Sequence, residues 1–301
     1  MILIFFVSLY CIYRYVFGGN PKRLAGDDEV PESDKYAEYT KYVHERIEEI
    51  RKVPFQEIRM KARDGVTLYG RYYHRADGAP LVLMFHGYRS SCLRDGMGAF
   101  RFTEECGYNI LMVDQRAHRN SGGKTITFGV KERWDCLDWI QYMRKLLGED
   151  TKMILIGLSM GASTVLMTTD LDLPDNVKGI IADCGYSSPK DILKSVIKKM
   201  KLPVGPTYFL VRLSARIYGG FDPASVSTCD TLAVSKVPVL LIHGEEDDFV
   251  PCEMSRRNYE ACASEKELFI VPGANHGMSY VTDMPRYVET FKGFLQRHFE
   301  S

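Results

Sequence analysis

Six short apolar runs limit what this chain can become: LVLMFH (81–86), NILMVD (109–114), KMILIGL (152–158), VKGIIA (177–182), VPVLLIH (237–243) and ELFIVP (267–272). None alternates cleanly between apolar and polar residues, and each is too short for a core helix, so they read as strands buried on both faces. Helical stretches lie between them. Strands joined by helices cross over and pair in parallel, with helices covering both sides of the sheet. Ahead of them, FQEIRMKARDGVTLYGRYYH (55–74) alternates, and Asp64-Gly65 sits between its halves as a hairpin dipeptide. The expectation is an α/β fold, a mostly parallel twisted sheet with antiparallel entry strands. The rhythm lapses once, across 187–236, where ILKSVIKKMKLP and YFLVRLSARIYGG are amphipathic and too long for a plain connection. They predict a small helical cap over the strand ends that shapes a substrate pocket. A helical insertion without that role is the alternative.

The third run ends in GLSMGA, where a buried strand turns directly into the helix-forming MGASTVLM. A bare G-x-S-x-G is weak evidence, but between a strand and a helix it has the setting of a nucleophile elbow. Glycines at 157 and 161 remove the Cβ atoms that would clash across such a bend, leaving Ser159 the strained corner. The peptide N–H of Met160 then points toward an anion forming near the serine oxygen.

A serine hydroxyl is a poor nucleophile at neutral pH, so this reading demands a base and a group to orient it. Both lie downstream, in loops that follow strands of the same parallel sheet and therefore emerge on one side. HGEEDDFVP (243–251) carries Asp247 and Asp248, and GANHG (273–277) carries His276. Asp247 is the favoured partner of His276, with Asp248 and Asp183 as alternatives. A second oxyanion donor is expected at the peptide N–H of Tyr88, after His86-Gly87. His86 and His118 read as loop-shaping residues, and His243 as support for the aspartate loop.

MILIFFVSLYCIYRYVFGG opens the chain with 17 almost wholly apolar residues, interrupted by Ser8 and Arg14. It predicts an uncleaved membrane-anchor helix over 1–19. Lys22 and Arg23 follow it and no positive residue precedes it, which places the catalytic domain in the cytoplasm. A short helix docked on the domain is the alternative. A linker and an amphipathic helix are expected over 20–54, the helix carrying Tyr36, Tyr39, Val43, Ile47 and Ile50 at helical spacing. The hydrolase domain itself is expected over 55–301. Thirty-nine basic residues balance thirty-nine acidic ones, so no net field attracts nucleic acid. Eight cysteines are scattered without a CxxC pair, which argues against a zinc site and a disulfide framework.

Taken together, HGYRSS, DQRAHRNSGG, GLSMGA, DCGYSS, HGEEDDFVP and GANHG resemble the α/β-hydrolase superfamily from about residue 55 onward. Within it they are similar to the YqkD-like and BEM46-like bacterial serine hydrolases. The resemblance implies an α/β-hydrolase fold and an esterase-type enzyme without cofactor or metal, acting on a small-molecule acyl ester. It implies Ser159, Asp247 and His276 as triad and the backbone of Tyr88 and Met160 as oxyanion donors. Arg119 departs from the pattern, standing where related sequences carry glycine. Thioesters, peptides, or binding without catalysis are the other readings such a chain admits.

Overall fold

Eight strands form one sheet in the computed structural model, which describes residues 2–19 and 34–298, with no side-chain description for 34–38. They are β1 (Gln56–Lys61), β2 (Thr67–Tyr73), β3 (Leu81–Phe85), β4 (Asn109–Asp114), β5 (Met153–Leu158), β6 (Val177–Asp183), β7 (Val239–Gly244) and β8 (Lys266–Val271). Their order is β1-β2-β4-β3-β5-β6-β7-β8. β2 pairs antiparallel with both neighbours and every other pairing is parallel. The hairpin is one residue longer than the dipeptide suggests. Ala62 N–H donates to Val66 O at 2.8 Å, leaving Arg63-Asp64-Gly65 in the turn with Gly65 at φ 83°. That left-handed residue closes a three-residue loop.

The helices, in chain order, are α1 (Ile2–Phe17), α2 (Asp34–Lys52), α3 (Cys92–Cys106), α4 (Glu132–Leu147), α5 (Met160–Leu166), α6 (Pro189–Lys199), α7 (Val204–Ser214), α8 (Thr228–Leu232), α9 (Glu253–Ala261), α10 (Ser279–Thr282) and α11 (Met284–His298). A π-helical turn, Ala215–Gly219, continues α7. Strand side chains alternate between two apolar layers. Ile154 and Ile156 pack with Val43 and Ile47 of α2, Phe102 of α3 and Phe294 of α11. Met153 and Leu155 pack on the other face with Trp139 and Ile140 of α4 and Val165 of α5. The amphipathic helix predicted after the linker is α2, and its Val43, Ile47 and Ile50 are buried. Most of the linker, 20–33, lies outside the described residues, as does the side chain of Tyr36.

The expected membrane anchor is not borne out. No helix among the described residues is long and apolar enough to cross a membrane. The 16 residues of α1 span about 24 Å at 1.5 Å per residue, short of a hydrocarbon core of roughly 30 Å. With no span, the flanking charges have nothing to orient, and the inference of a cytoplasmic domain falls with it. α1 instead lies on the protein. Leu9, Tyr13 and Phe17 are buried while Ile2, Leu3 and Ile4 stay exposed. Phe17 meets Phe128 and Phe221 edge to face, with centroids 5.7 and 5.2 Å apart, and Tyr13 shares a 2.6 Å hydrogen bond with Thr125. The chain leaves the helix by pairing with 124–126, where Ile126 N–H donates to Phe17 O at 2.8 Å. Hydropathy alone cannot tell a lipid-facing helix from one whose stripe is covered by its own fold.

Phe17 therefore belongs to the folding core, and Phe17→Ala should cost about 3–5 kcal/mol. Urea unfolding in detergent-free buffer measures this; an unchanged midpoint would mean that α1 is not docked.

Candidate active site

β5 runs into α5 through Ser159, held at φ 55°, ψ −113°. A Cβ on Gly157 would lie far inside contact distance of the Gly161 carbonyl, and one on Gly161 would strike the carbonyls of Phe85 and His86. The two glycines thus allow strand, helix and β3 to approach closely enough to turn the corner, and Ser159 takes the strain. A non-glycine residue at such a φ costs of order 1–3 kcal/mol and persists only where its surroundings impose it. Here they do: Ser159 N–H donates to Asp183 O at 2.8 Å and Ser159 O accepts from Ser163 N–H at 3.0 Å.

The loop after β8 brings His276 to this corner, with Nε2 3.0 Å from Ser159 Oγ and Nδ1 2.7 Å from Asp247 Oδ2. Asp247 Oδ1 accepts from the N–H groups of Phe249 and Val250 at 2.9 and 2.8 Å. Burial alone would raise the Asp247 pKa, but hydrogen bonds from His243 and His276 hold it well below the usual carboxylate range. An ionised carboxylate accepts only, so Nδ1 of His276 carries the proton and Nε2 faces the serine as acceptor. The alternatives point elsewhere. Asp248 Oδ1 lies 3.3 Å from Lys199 Nζ, and Asp183 Oδ1 accepts from Ser279 Oγ at 3.0 Å.

His86, His118 and an aspartate the sequence did not single out hold the loop carrying Tyr88. His86 Nδ1 donates to Gly87 O at 2.7 Å and its Nε2 accepts from Gln115 N–H at 3.0 Å. His118 Nδ1 donates to Arg116 O at 2.9 Å while Nε2 accepts from Arg89 N–H at 3.0 Å. Burial depresses both rings, to about 4 for His86 and about 3 for His118, so both are neutral staples. Asp95 Oδ2 accepts from Gly87 N–H at 2.7 Å. Burial opposes the charge on Asp95, yet Arg94, Ser90 and that N–H lower its pKa. The peptide groups flanking Tyr88 are thus pinned from three sides. Neither the Tyr88 nor the Met160 N–H has a hydrogen-bond partner among the described residues. Arg119, at the departure from the family pattern, adopts φ 45°, the left-handed conformation a glycine would take easily.

A cavity of about 410 Å³ opens beside Ser159 and His276. It is walled by α3, the 276–291 segment and the strand ends, not by the 187–236 insertion. The expectation that the cap shapes this pocket is therefore corrected. Its helices pack with α1 and the 117–128 loop, where Tyr13, Phe17, Phe128, Leu193 and Val211 form one apolar cluster. Cys184 lies close to Asp247 and His276, but burial raises its thiol well above the usual range and the other two donors are committed to each other. This set does not fit a metal.

The strand order and the strand–serine–helix corner define an α/β-hydrolase. The chain belongs to the prolyl oligopeptidase family, whose sequence model matches residues 102–301. It is 26% identical to the protein YqkD of Bacillus subtilis over 260 residues, which covers 86% of this chain and 84% of that one. To the protein bem46 of Schizosaccharomyces pombe it is 23% identical over 246 residues, 80% and 76% of the two chains. The structure is similar to that of the Pyrococcus furiosus esterase Pf2001, with a TM-score of 0.68 at 23% identity over 93% of this chain and 98% of that one. At that identity the likeness speaks for the fold.

Asp183 gives this region a pH signature. Burial raises its pKa to about 6, against the opposing pull of His243, Ser279, Tyr287 and His276. The folded protein thus keeps this proton to higher pH than the unfolded chain, and the stability it contributes is full below about pH 4 and lost as pH rises through 6. Asp183→Asn removes that slope. The stability difference between variant and wild type should shift in the variant's favour by about 2 kcal/mol from pH 4 to 7.5, read by urea titration. A pH-independent difference would contradict it.

Proposed function

We propose that this protein is a serine hydrolase that cleaves carboxylic esters through an acyl-Ser159 intermediate, without a cofactor. The observation that carries the reading is the hydrogen-bond chain Ser159–His276–Asp247, at 3.0 and 2.7 Å. His276 Nε2 accepts the hydroxyl proton as Oγ bonds to the ester carbonyl carbon. The carbonyl oxygen takes the negative charge of the tetrahedral intermediate, next to the N–H groups of Tyr88 and Met160. The intermediate collapses by breaking the bond to the alkoxy oxygen, which leaves with the proton from Nε2. Water then repeats the sequence on the acyl-enzyme, returning the acid and free Ser159. Asp247 stays ionised throughout, holding the ring and stabilising the imidazolium.

An uncharged or amphipathic acyl ester suits the largely apolar cavity beside the serine. A second reading, peptide cleavage on the same three residues, is favoured by the family to which the chain belongs. Thioester cleavage needs no different machinery. A non-catalytic binder would have no use for the strained serine.

A fluorophosphonate probe should label the wild type at Ser159 and leave Ser159→Ala unlabelled. With nitrophenyl esters, Ser159→Ala and His276→Ala should each lower kcat by at least about 10³-fold. A panel of esters and dipeptidyl nitroanilides separates the two readings: turnover of the peptides alone would reject the esterase. Folded wild type inert to the probe would reject the serine mechanism.

A further inference from the structure

The cavity at Ser159 does not stop at the surface of the sheet. Its walls include Met84 and Ile156 from β3 and β5, Phe102 from α3, Phe291 from α11 and Val43 from α2. All five are buried members of the apolar layer on that face. The void therefore runs from the serine into the core, and buried side chains close its inner end. Protein interiors are close-packed, with few voids larger than a water molecule. A largely apolar cavity of about 410 Å³ that reaches into such a layer gives up contacts that the fold would otherwise make, and its inner part suits an apolar occupant.

The half of an ester that such a space can hold follows from the reaction order. The alcohol must leave before water attacks, and a group enclosed in the core would have no exit past the acyl-enzyme. The acyl chain remains bonded to Ser159 until the last step, so it is the half that can stay enclosed. One residue on the wall fits this use. Gly98 lies in the middle of α3, where glycine weakens a helix. A Cβ there would lie 3.4 Å from the Tyr280 ring, in ordinary van der Waals contact with it, and both residues line the cavity. None of the atoms nearest that Cβ is backbone, so close packing does not force glycine there, and a side chain longer than a methyl would have to pass Tyr280 into the cavity.

We propose that the substrates are esters of unbranched, medium-length fatty acyl groups. The chain lies in the core cavity between β3, β5 and helices α2, α3 and α11, with Gly98 on its wall. The inference rests on the ester-hydrolase reading and deepens it. It also gives α2, which precedes the hydrolase sheet, a place in the substrate site through Val43.

The test uses full-length protein and nitrophenyl esters from acetate to dodecanoate. Wild type should show a higher kcat/KM for octanoate or decanoate than for acetate. Gly98→Leu, which keeps a good helix former at the position, should lower the decanoate-to-acetate ratio of kcat/KM at least tenfold. Gly98→Ala adds a methyl that only touches Tyr280 and should leave the ratio within about twofold, so Phe102→Ala is the variant that keeps the proposal testable if the leucine variant does not fold. Phe102→Ala opens the inner end and should move the optimum to longer chains. Wild type that favours acetate, or a ratio unchanged in folded Gly98→Leu or an optimum unmoved in folded Phe102→Ala while esters turn over, overturns the placement of the chain alone. Wild type that reacts with a fluorophosphonate but cleaves no ester of any length overturns the ester reading and this proposal with it.

Discussion

At the centre of this structure two peptide groups come closer than any side chain would permit. Gly157 and Gly161 face each other across the turn at Ser159, and Gly161 also lies against the end of β3. Replacing either glycine would push α5 away from the sheet. Ser159 would then lose its φ of 55° and its reach to His276. The corner also fixes the outlying loops, because the β3 end that touches Gly161 continues directly into His86, Gly87 and Tyr88. A backbone contact near the sheet's centre thus sets the relative positions of the serine and the Tyr88 loop.

Charge is handled by local saturation around that corner. Asp247 accepts two backbone N–H groups on one oxygen and faces two imidazoles with the other, so a buried anion is stable beside the His276 ring. Asp95 is arranged similarly, between Arg94 and Gly87 N–H. Asp183 has fewer donors, and burial prevails there. Three buried aspartates within one region therefore differ in protonation according to how many donors each has, a balance that follows from hydrogen-bond supply rather than depth.

Those differences mark the limits of what the sequence could tell. The strands were legible because apolar runs such as LVLMF and NILMVD have one stable use between helices, and their observed bounds, Leu81–Phe85 and Asn109–Asp114, fall where the runs fall. Ser159, His276 and Asp247 could be picked out because loops at one end of a parallel sheet converge. Asp95 could not: its function depends on facing the Gly87 N–H across the start of α3, and nothing in LRDG signals that contact. The insertion at 187–236 was recognisable by length, but length has no direction, and its helices pack toward α1 rather than over the cavity. The opening segment was misread for a related reason, since an apolar stripe does not name the surface that will cover it.

The docking of α1 reaches the Ser159 corner, because the surface covering α1 includes the Tyr88 loop. The hydroxyl of Tyr88 donates to Val16 O at 2.8 Å and Arg89 Nη2 donates to Tyr15 O at 2.6 Å. These are last-turn carbonyls, the acceptors a helix leaves unsatisfied at its negative end, where a guanidinium is electrostatically favoured. The Tyr88 ring stacks on Phe128, centroids 5.0 Å apart, and Phe128 packs in turn against Phe17. Helix and loop therefore stabilise each other: α1 gains donors it cannot supply itself, and Tyr88 and Arg89 gain fixed side chains beside backbone groups already held by His86, His118 and Asp95. The amino-terminal helix is continuous, through hydrogen bonds and ring contacts, with the peptide that faces the Ser159 corner.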